Sequence, residues 1–237
     1  WWNELDKKYF LGMLLFSSFV FFPLISQRLT NAYDGMWTTA EYWAGRWELS
    51  NGRWLWPVTS FLRFSAQLEP INAVVCLALV SLGAARLHML FKSARMGTSC
   101  IDWLAGLCYV SNTVIACYLS FQYISPEYGF SFFLAVLAAE QAIRAEKMIV
   151  GIISGAVFLA MSLGLYQTNL ACFCLVMLAY FLLLLFRNQE KQKIREHIYR
   201  SLASAASGAV LYLLILKVAL WATGTAMADY QGGADVS

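Results

Sequence analysis

An aspartate and several arginines lie close together in one aromatic segment, residues 31–56, and this combination is suited to chemistry on a phosphate ester. Asp34 is followed by a glycine and surrounded by tryptophan and tyrosine. Partial desolvation among aromatic rings raises the pKa of a carboxylate, which suits it to act as a general base. Arg46 and Arg53 follow in the same segment, and a guanidinium fork fits phosphate oxygens. The residue types therefore indicate a base beside a phosphate clamp.

Each of these residues also has a purely structural interpretation. Asp34 could cap a helix that starts near Met36. The three arginines of the wider segment could reach lipid headgroups or pair with acids of the same segment. These arginines are Arg46, Arg53 and Arg63, and the acids are Glu41, Glu48 and Glu69.

A second polar group interrupts an apolar run further along the chain. In "LGLYQTNLA", residues 163–171, the side chains of Tyr166, Gln167, Thr168 and Asn169 follow one another where an apolar helix should begin. Polar groups at membrane depth are costly unless they are paired or line a wet cavity. The run indicates either part of a substrate site or a hydrogen-bond cluster between helices.

The elements that position these residues are predicted to be membrane helices. The 237 residues are 60% hydrophobic and 13% charged, about half the charged fraction of a soluble domain. The net charge of +3 is too small to indicate a nucleic-acid partner, and no Cys/His cluster has metal-ligand spacing. Apolar runs long enough to cross a bilayer occur at 9–26, 71–91, 101–124, 129–145, 148–164, 165–186 and 201–224. The sequence predicts an all-α polytopic membrane protein with about seven spans.

The basic residues predict the orientation of these spans, because cytoplasmic loops collect lysine and arginine. With the amino terminus in the cytoplasm, only Arg28, Arg46, Arg53 and Arg63 fall in outward loops, and most other basic residues fall in cytoplasmic ones. The segment 27–70 then faces a periplasm-like space.

The segment 27–70 is too long for a turn and too aromatic for a linker. Apolar residues recur at helical spacing over 36–49 and again over 54–66, with Gly52 between them. We expect two short helices in the plane of the interface, held there by tryptophan and tyrosine at headgroup depth.

The order of these motifs resembles the GtrII-type glucosyltransferases of bacterial O-antigen modification, within the multi-span GT-C glycosyltransferases. The matching stretches are "NAYDGMW", "W-x-x-S-N-G-R-W" (Trp47 to Trp54), "EPIN", "SPEYGFSFFLAVLAAE" and "SLGLYQTNLACFCLVML". Together they cover essentially the whole chain. Members commonly run to about twice this length, so we expect a single transmembrane domain over 1–237 that is the amino-terminal part of a longer protein.

The resemblance implies transfer of a hexose from a polyprenyl-phosphate carrier to an O-antigen of lipopolysaccharide or to another surface or lipid-linked glycan. Glucose is the hexose that the resemblance favours. It implies a bacterial inner membrane protein whose catalytic loop, 27–70, is periplasmic. Where the family has two adjacent acids, this chain has Tyr33 and Asp34, so Asp34 alone carries over as the catalytic acid and Glu41 is the nearest substitute. No cofactor is firmly implied, and the lost acid weakens any scheme built on a metal.

The candidate site therefore comprises one catalytic residue and a set that binds the substrate. The catalytic base is Asp34, the phosphate clamp is Arg53 with Arg46 or Arg63, and the remaining candidates are Glu41, Tyr166 and Gln167. Two other functions use the same residues: a carrier or flippase for a lipid-linked sugar, which needs no base, and a non-catalytic scaffold.

Overall fold

The structure is a computed structural model, and it describes residues 6–26, 41–63, 66, 68–92, 99–187 and 189–228. Within these ranges the regular structure is helical and no residue belongs to a β-strand; Glu41 and Ala66 form an isolated bridge. The predicted all-α class is confirmed.

The described helices are numbered here in chain order. The first four are short: α1 (Lys7–Val20), α2 (Phe22–Ser26), α3 (Arg46–Ser50) and α4 (Trp56–Leu62). The others are α5 (Ile71–Lys92), α6 (Ser99–Val110), α7 (Thr113–Ser120), α8 (Ser125–Arg144), α9 (Met148–Leu165), α10 (Leu170–Phe186) and α11 (Lys191–Thr223). Two 3-10 turns, Gln122–Ile124 and Gln167–Asn169, precede α8 and α10.

Five stretches of the described chain are long and apolar enough to cross a membrane. They are α5, the α6–α7 stretch Cys100–Ser120, α9, Gln167–Phe186 and α11. Two predicted spans are not among them. The run 9–26 is divided into α1 and α2 at Phe21, and α8, which covers the predicted span as far as Arg144, carries two glutamates and an arginine. The count of seven spans stays a prediction.

Helix α8 lies at the centre of the bundle, which explains its weak apolar character. It packs against α5 on one side and α9 on the other, and α9 packs in turn against α11. Every residue from Ser131 to Glu140 is buried. A helix surrounded by other helices does not need an apolar surface toward lipid, so small and polar residues are tolerated there.

A buried ion pair joins α5 to α8. Arg86 donates through Nε to Glu140 Oε2 at 2.8 Å and through Nη2 to Glu140 Oε1 at 2.5 Å. Arg86 is 4% and Glu140 2% exposed. Arg144, one turn on, also donates to Glu140 Oε1 at 3.1 Å. Glu140, the acid within the predicted span 129–145, is therefore neutralised inside the protein, where an unpaired charge would be far more costly.

The segment 27–70, called here the outward segment after its predicted orientation, differs from its prediction at the start of its first described helix. The spacing predicts a helix over 36–49, but Glu41–Gly45 are not helical and α3 begins only at Arg46. The reason is local, because the carboxylate of Glu48 accepts the backbone N–H of Gly45 at 2.6 Å and also the hydroxyl of Tyr42. A glutamate in the first turn that accepts the N-cap amide fixes where a helix begins. The predicted break at Gly52 is present, between α3 and α4.

Replacing Glu140 with alanine should destabilise the protein strongly, because Arg86 then stays buried without its carboxylate. The expected cost is about 3–5 kcal/mol of unfolding free energy. The check is the thermal midpoint of the purified protein in detergent. Glu146→Ala, in the exposed turn after α8, is the control and should change the midpoint little. Adding Arg86→Leu to a Glu140→Leu variant should recover much of the loss, and no recovery would contradict the pairing.

Candidate functional site

The outward segment is fixed to the end of α9 by backbone and side-chain hydrogen bonds. The backbone N–H of Leu55 donates to the carbonyl of Gly164 at 2.9 Å. Gln167 donates through Nε2 to the carbonyl of Asn51 at 2.8 Å. The carbonyls at the end of a helix need partners, and here a distant segment provides one. Two motifs more than a hundred residues apart thus form one surface.

Gly52 occupies the tightest point of this junction. Its φ is 82°, in the left-handed region that glycine adopts readily. A Cβ placed on it would lie 2.5 Å from both Gln167 Nε2 and the hydroxyl of Tyr212. That hydroxyl donates to the carbonyl of Gly52 at 3.1 Å and accepts from Gln167 Nε2 at 3.1 Å. Both the backbone conformation and the lack of space therefore require glycine here.

Arg53, the next residue, is held against two aromatic rings. Its guanidinium carbon lies 4.5 Å from the centroid of Trp56 and 5.6 Å from that of Tyr166. Cation–π contacts of this kind orient a guanidinium without using its N–H groups. No described carboxylate forms an ion pair with Arg53. The cation is positioned but its charge is not neutralised by any described side chain.

Several N–H donors around Arg53 lack an acceptor. Arg53 Nε and the indole Nε1 atoms of Trp54 and Trp56 are buried and form no hydrogen bond to any described residue. Buried donors without partners are uncommon in folded proteins and are associated with ligands or functional sites. A ligand that binds any of these donors has to supply an acceptor oxygen, as a phosphate or a sugar does.

Of the two interpretations that the sequence left open for the polar run 166–169, the structure shows the hydrogen-bond cluster between helices; a part in a substrate site stays a prediction. Asn169 donates through Nδ2 to Ser131 Oγ at 2.7 Å and accepts from the Tyr118 hydroxyl at 2.8 Å, which is a helix–helix cluster. Gln167 binds the outward segment, as described above. Tyr166 instead presents its ring to Arg53 and to Tyr128, whose centroid is 4.8 Å away.

Arg63 is engaged in an ion pair that the sequence did not suggest. Its Nη2 lies 3.1 Å from Glu127 Oε1 and donates to the carbonyl of Tyr123 at 3.0 Å. Glu127 is in the first turn of α8, before the predicted span 129–145, and burial raises its pKa to about 7 although Arg63 opposes the shift. The acids considered from the sequence were all in the same segment as Arg63, whereas Glu127 comes from a separate helix.

The other predicted site residues are less enclosed. Arg46 and Glu41 are exposed, and Glu41 accepts a hydrogen bond from Trp43 Nε1 at 3.3 Å. Asp34, the predicted base, lies outside the described residues, as does its suggested role as a helix cap at Met36. The structure thus brings Arg53, Tyr166 and Gln167 together and leaves the position of Asp34 a prediction.

Sequence reasoning missed three residues of this site. Trp56 was assigned to the headgroup belt, yet it is 2% exposed and stacks with Arg53. Tyr128 and Tyr212 lie in helices where no pattern distinguished them. The signal that was available for Tyr128 is its place in "SPEYG", next to Glu127 in an outward turn. Within the described ranges, no three His, Cys, Asp or Glu side chains converge as metal ligands would.

The family model described as Glucosyl transferase GtrII matches residues 29–237, which include every residue of the site described above. No curated protein and no solved structure matches the chain.

The docking of the outward segment should depend on Gly52. Gly52→Ala places a Cβ against Gln167 and Tyr212 in a left-handed backbone, so we expect a loss of about 1–2 kcal/mol and weaker attachment of the segment. The check is hydrogen exchange of the amides of residues 51–56, which should become faster. Gly45→Ala is the matched control, because a Cβ there meets no atom within 4 Å. Unchanged exchange in Gly52→Ala would contradict this junction.

Proposed function

Since the chain belongs to the GtrII glucosyl transferase family, we propose that it transfers a hexose, with glucose as the first candidate, from a polyprenyl-phosphate carrier to an O-antigen or another cell-surface glycan. The family establishes a glycosyltransferase, and the five apolar stretches indicate a membrane protein. The donor, the acceptor, the periplasmic side of the reaction and a GT-C type of fold are parts of the proposal.

The observation that carries the proposal is the environment of Arg53. The guanidinium is oriented by Trp56 and Tyr166, and within the described chain it has no carboxylate partner. A cation kept without a protein counter-charge is suited to an anionic ligand that arrives from outside. A phosphate at headgroup depth is such a ligand, and the buried indole donors beside Arg53 add to the demand for acceptor oxygens.

The location of the site fits a donor that is anchored in lipid. Arg53 and the residues around it lie where α9 ends and α10 begins, at the predicted outward end of two apolar helices. A polyprenyl tail has to remain in the bilayer while its sugar stands at the surface, so transfer has to occur at this depth. The positive-inside pattern supports a periplasmic assignment for this end.

The proposed reaction is a displacement at the anomeric carbon. An acceptor hydroxyl oxygen forms the new bond to that carbon, and the bond from carbon to the phosphate oxygen breaks. The electron pair leaves with the phosphate, whose second pKa is about 6 by analogy with phosphorylated residues, so no acid is needed. The hydroxyl proton goes to Asp34, and base catalysis of this kind contributes roughly 10²–10⁴-fold.

The remaining candidates have supporting roles in this scheme. Arg53 binds the phosphate, and Arg46, which is exposed in the same segment, is an additional cation. Arg63, which is paired with Glu127, contributes a further positive charge. Tyr166 and Gln167 line the substrate pocket, and Glu41 is the acid that could assist if Asp34 alone is insufficient.

Asp34→Asn should abolish transfer because the amide cannot accept the hydroxyl proton. We expect a fall of about 10²-fold or more in the rate of sugar transfer from polyprenyl-phosphate-glucose in detergent. Membrane insertion and carrier binding should be unchanged. Glu190→Gln, an exposed residue before α11, is the control. Full function in Asp34→Asn would instead support the alternative of a carrier or flippase, which performs no chemistry.

Arg53→Lys tests the phosphate clamp separately from the base. Lysine keeps the charge but loses the planar fork and the stacking on Trp56 and Tyr166. The expected result is a rise in the KM for the donor of roughly tenfold, equivalent to about 1.4 kcal/mol of binding. Arg195→Lys, on the exposed surface of α11, should leave the KM unchanged. An unaltered donor KM in Arg53→Lys would refute the assignment.

A further inference from the structure

A cavity of about 400 Å³ lies between α5 and α8 and is also lined by Thr59 of α4. Its inner part is apolar and includes Val75 and Leu79 on α5 and Phe130 on α8. Its size is within the range of small-molecule sites. Since α5 runs inward from Ile71, these apolar residues extend the cavity along the helices from the predicted outward end toward the middle of the bilayer.

The polar residues of the cavity are collected at its outward end. Arg63 and Glu127 both line it, joined by their ion pair. Arg63 Nε and Nη1 are buried and have no described hydrogen-bond partner, and the same is true of Glu127 Oε2. The Glu127 side chain is only 4% exposed. The two residues at this end of the cavity therefore carry two donors and one acceptor that no described group satisfies.

The apolar wall of the cavity is open to lipid. Ile71 is 55% exposed and Val75 40% exposed, on a helix that is apolar enough to span the membrane. A groove with this opening can be entered sideways from the bilayer, and a lipid tail can stay in the hydrocarbon while its head reaches the protein. A soluble ligand would gain nothing from an opening at this depth.

A pair of tyrosine rings lies close to both arginines. The Tyr42 and Tyr123 rings lie 4.9 Å apart, edge to face. Arg63 donates to the carbonyl of Tyr123. The charge of Arg53 opposes the rise in the Tyr42 pKa that burial and Glu48 produce. Each arginine therefore has one ring of this pair as a neighbour.

We infer that this groove holds the isoprenoid tail of the donor, with its phosphate bound by Arg63 and Arg53 together and a sugar hydroxyl donating to Glu127 Oε2. This inference rests on the proposed function for the identity of the donor. The three features of the groove match the three parts of such a lipid: apolar length for the tail, unsatisfied N–H groups for the phosphate, and a carboxylate oxygen for a hydroxyl. A phospholipid without a sugar uses only the first two.

The test is the affinity of the detergent-purified protein for polyprenyl phosphate, measured with Val75→Trp and Val74→Trp. The two valines are neighbours on α5 with similar exposure, 40% and 44%, but only Val75 lines the groove. We expect Val75→Trp to raise the dissociation constant roughly tenfold and Val74→Trp to leave it unchanged. If Val75→Trp fails to fold, Leu79→Phe fills the same groove with a smaller change.

Two further arms identify the head group. Glu127→Gln should weaken binding of polyprenyl-phosphate-glucose several-fold more than binding of polyprenyl phosphate, because only the first lipid has sugar hydroxyls. Dioleoyl phosphatidic acid should compete poorly. Equal effects of the two tryptophan variants, or equal competition by phosphatidic acid, would overturn the inference. The two proposals can fail separately. Groove-dependent binding without any sugar transfer would contradict the proposed function. Normal transfer with an unchanged donor KM in Val75→Trp would contradict the assignment of the groove.

Discussion

The hydrogen bond from the backbone of Leu55 to the last turn of α9 links the two halves of the candidate site. Helix α9 ends at Leu165, and the carbonyl of Gly164 in its last turn finds its partner in the docked segment. The contacts of Gln167 and Tyr212 with residues 51 and 52 reinforce the same junction. Once the segment is held in this way, Arg53 necessarily lies beside the polar turn that joins α9 to α10.

Three arginines of the described chain have partners of three different kinds. Arg86 has a bidentate partner in Glu140, so its charge serves the packing of α5 on α8. Arg63 shares its charge with Glu127 but keeps two nitrogens unsatisfied within the described chain. Arg53 has aromatic rings in place of an acid. These three arginines are ordered from the predicted cytoplasmic end to the predicted outward end of the bundle. The two whose charge is least neutralised lie at the outward end, where the head group of the proposed lipid donor would bind.

The sequence was sufficient for the helical class, for most of the apolar spans and for the two motifs that form the site. It was insufficient wherever a partner came from another helix. Nothing in the pattern of residues 125–128 paired Glu127 with Arg63, and the capping of α3 by Glu48 was invisible to a count of apolar spacing. Hydropathy alone describes α8 as partly polar, because it does not register that Arg86 neutralises one of its acids. Local patterns predict elements, whereas pairing across the bundle decides which charges remain available.

The most direct test of the account is an experimental structure of the protein with polyprenyl-phosphate-glucose bound, determined by electron cryomicroscopy in lipid nanodiscs. The account predicts phosphate density within about 3 Å of the Arg53 guanidinium, at the end of the bundle where α9 terminates. Phosphate density at the opposite end, near Arg86 or Arg200, would contradict it. So would an Arg53 side chain that is neutralised by a carboxylate of the protein while the donor is bound.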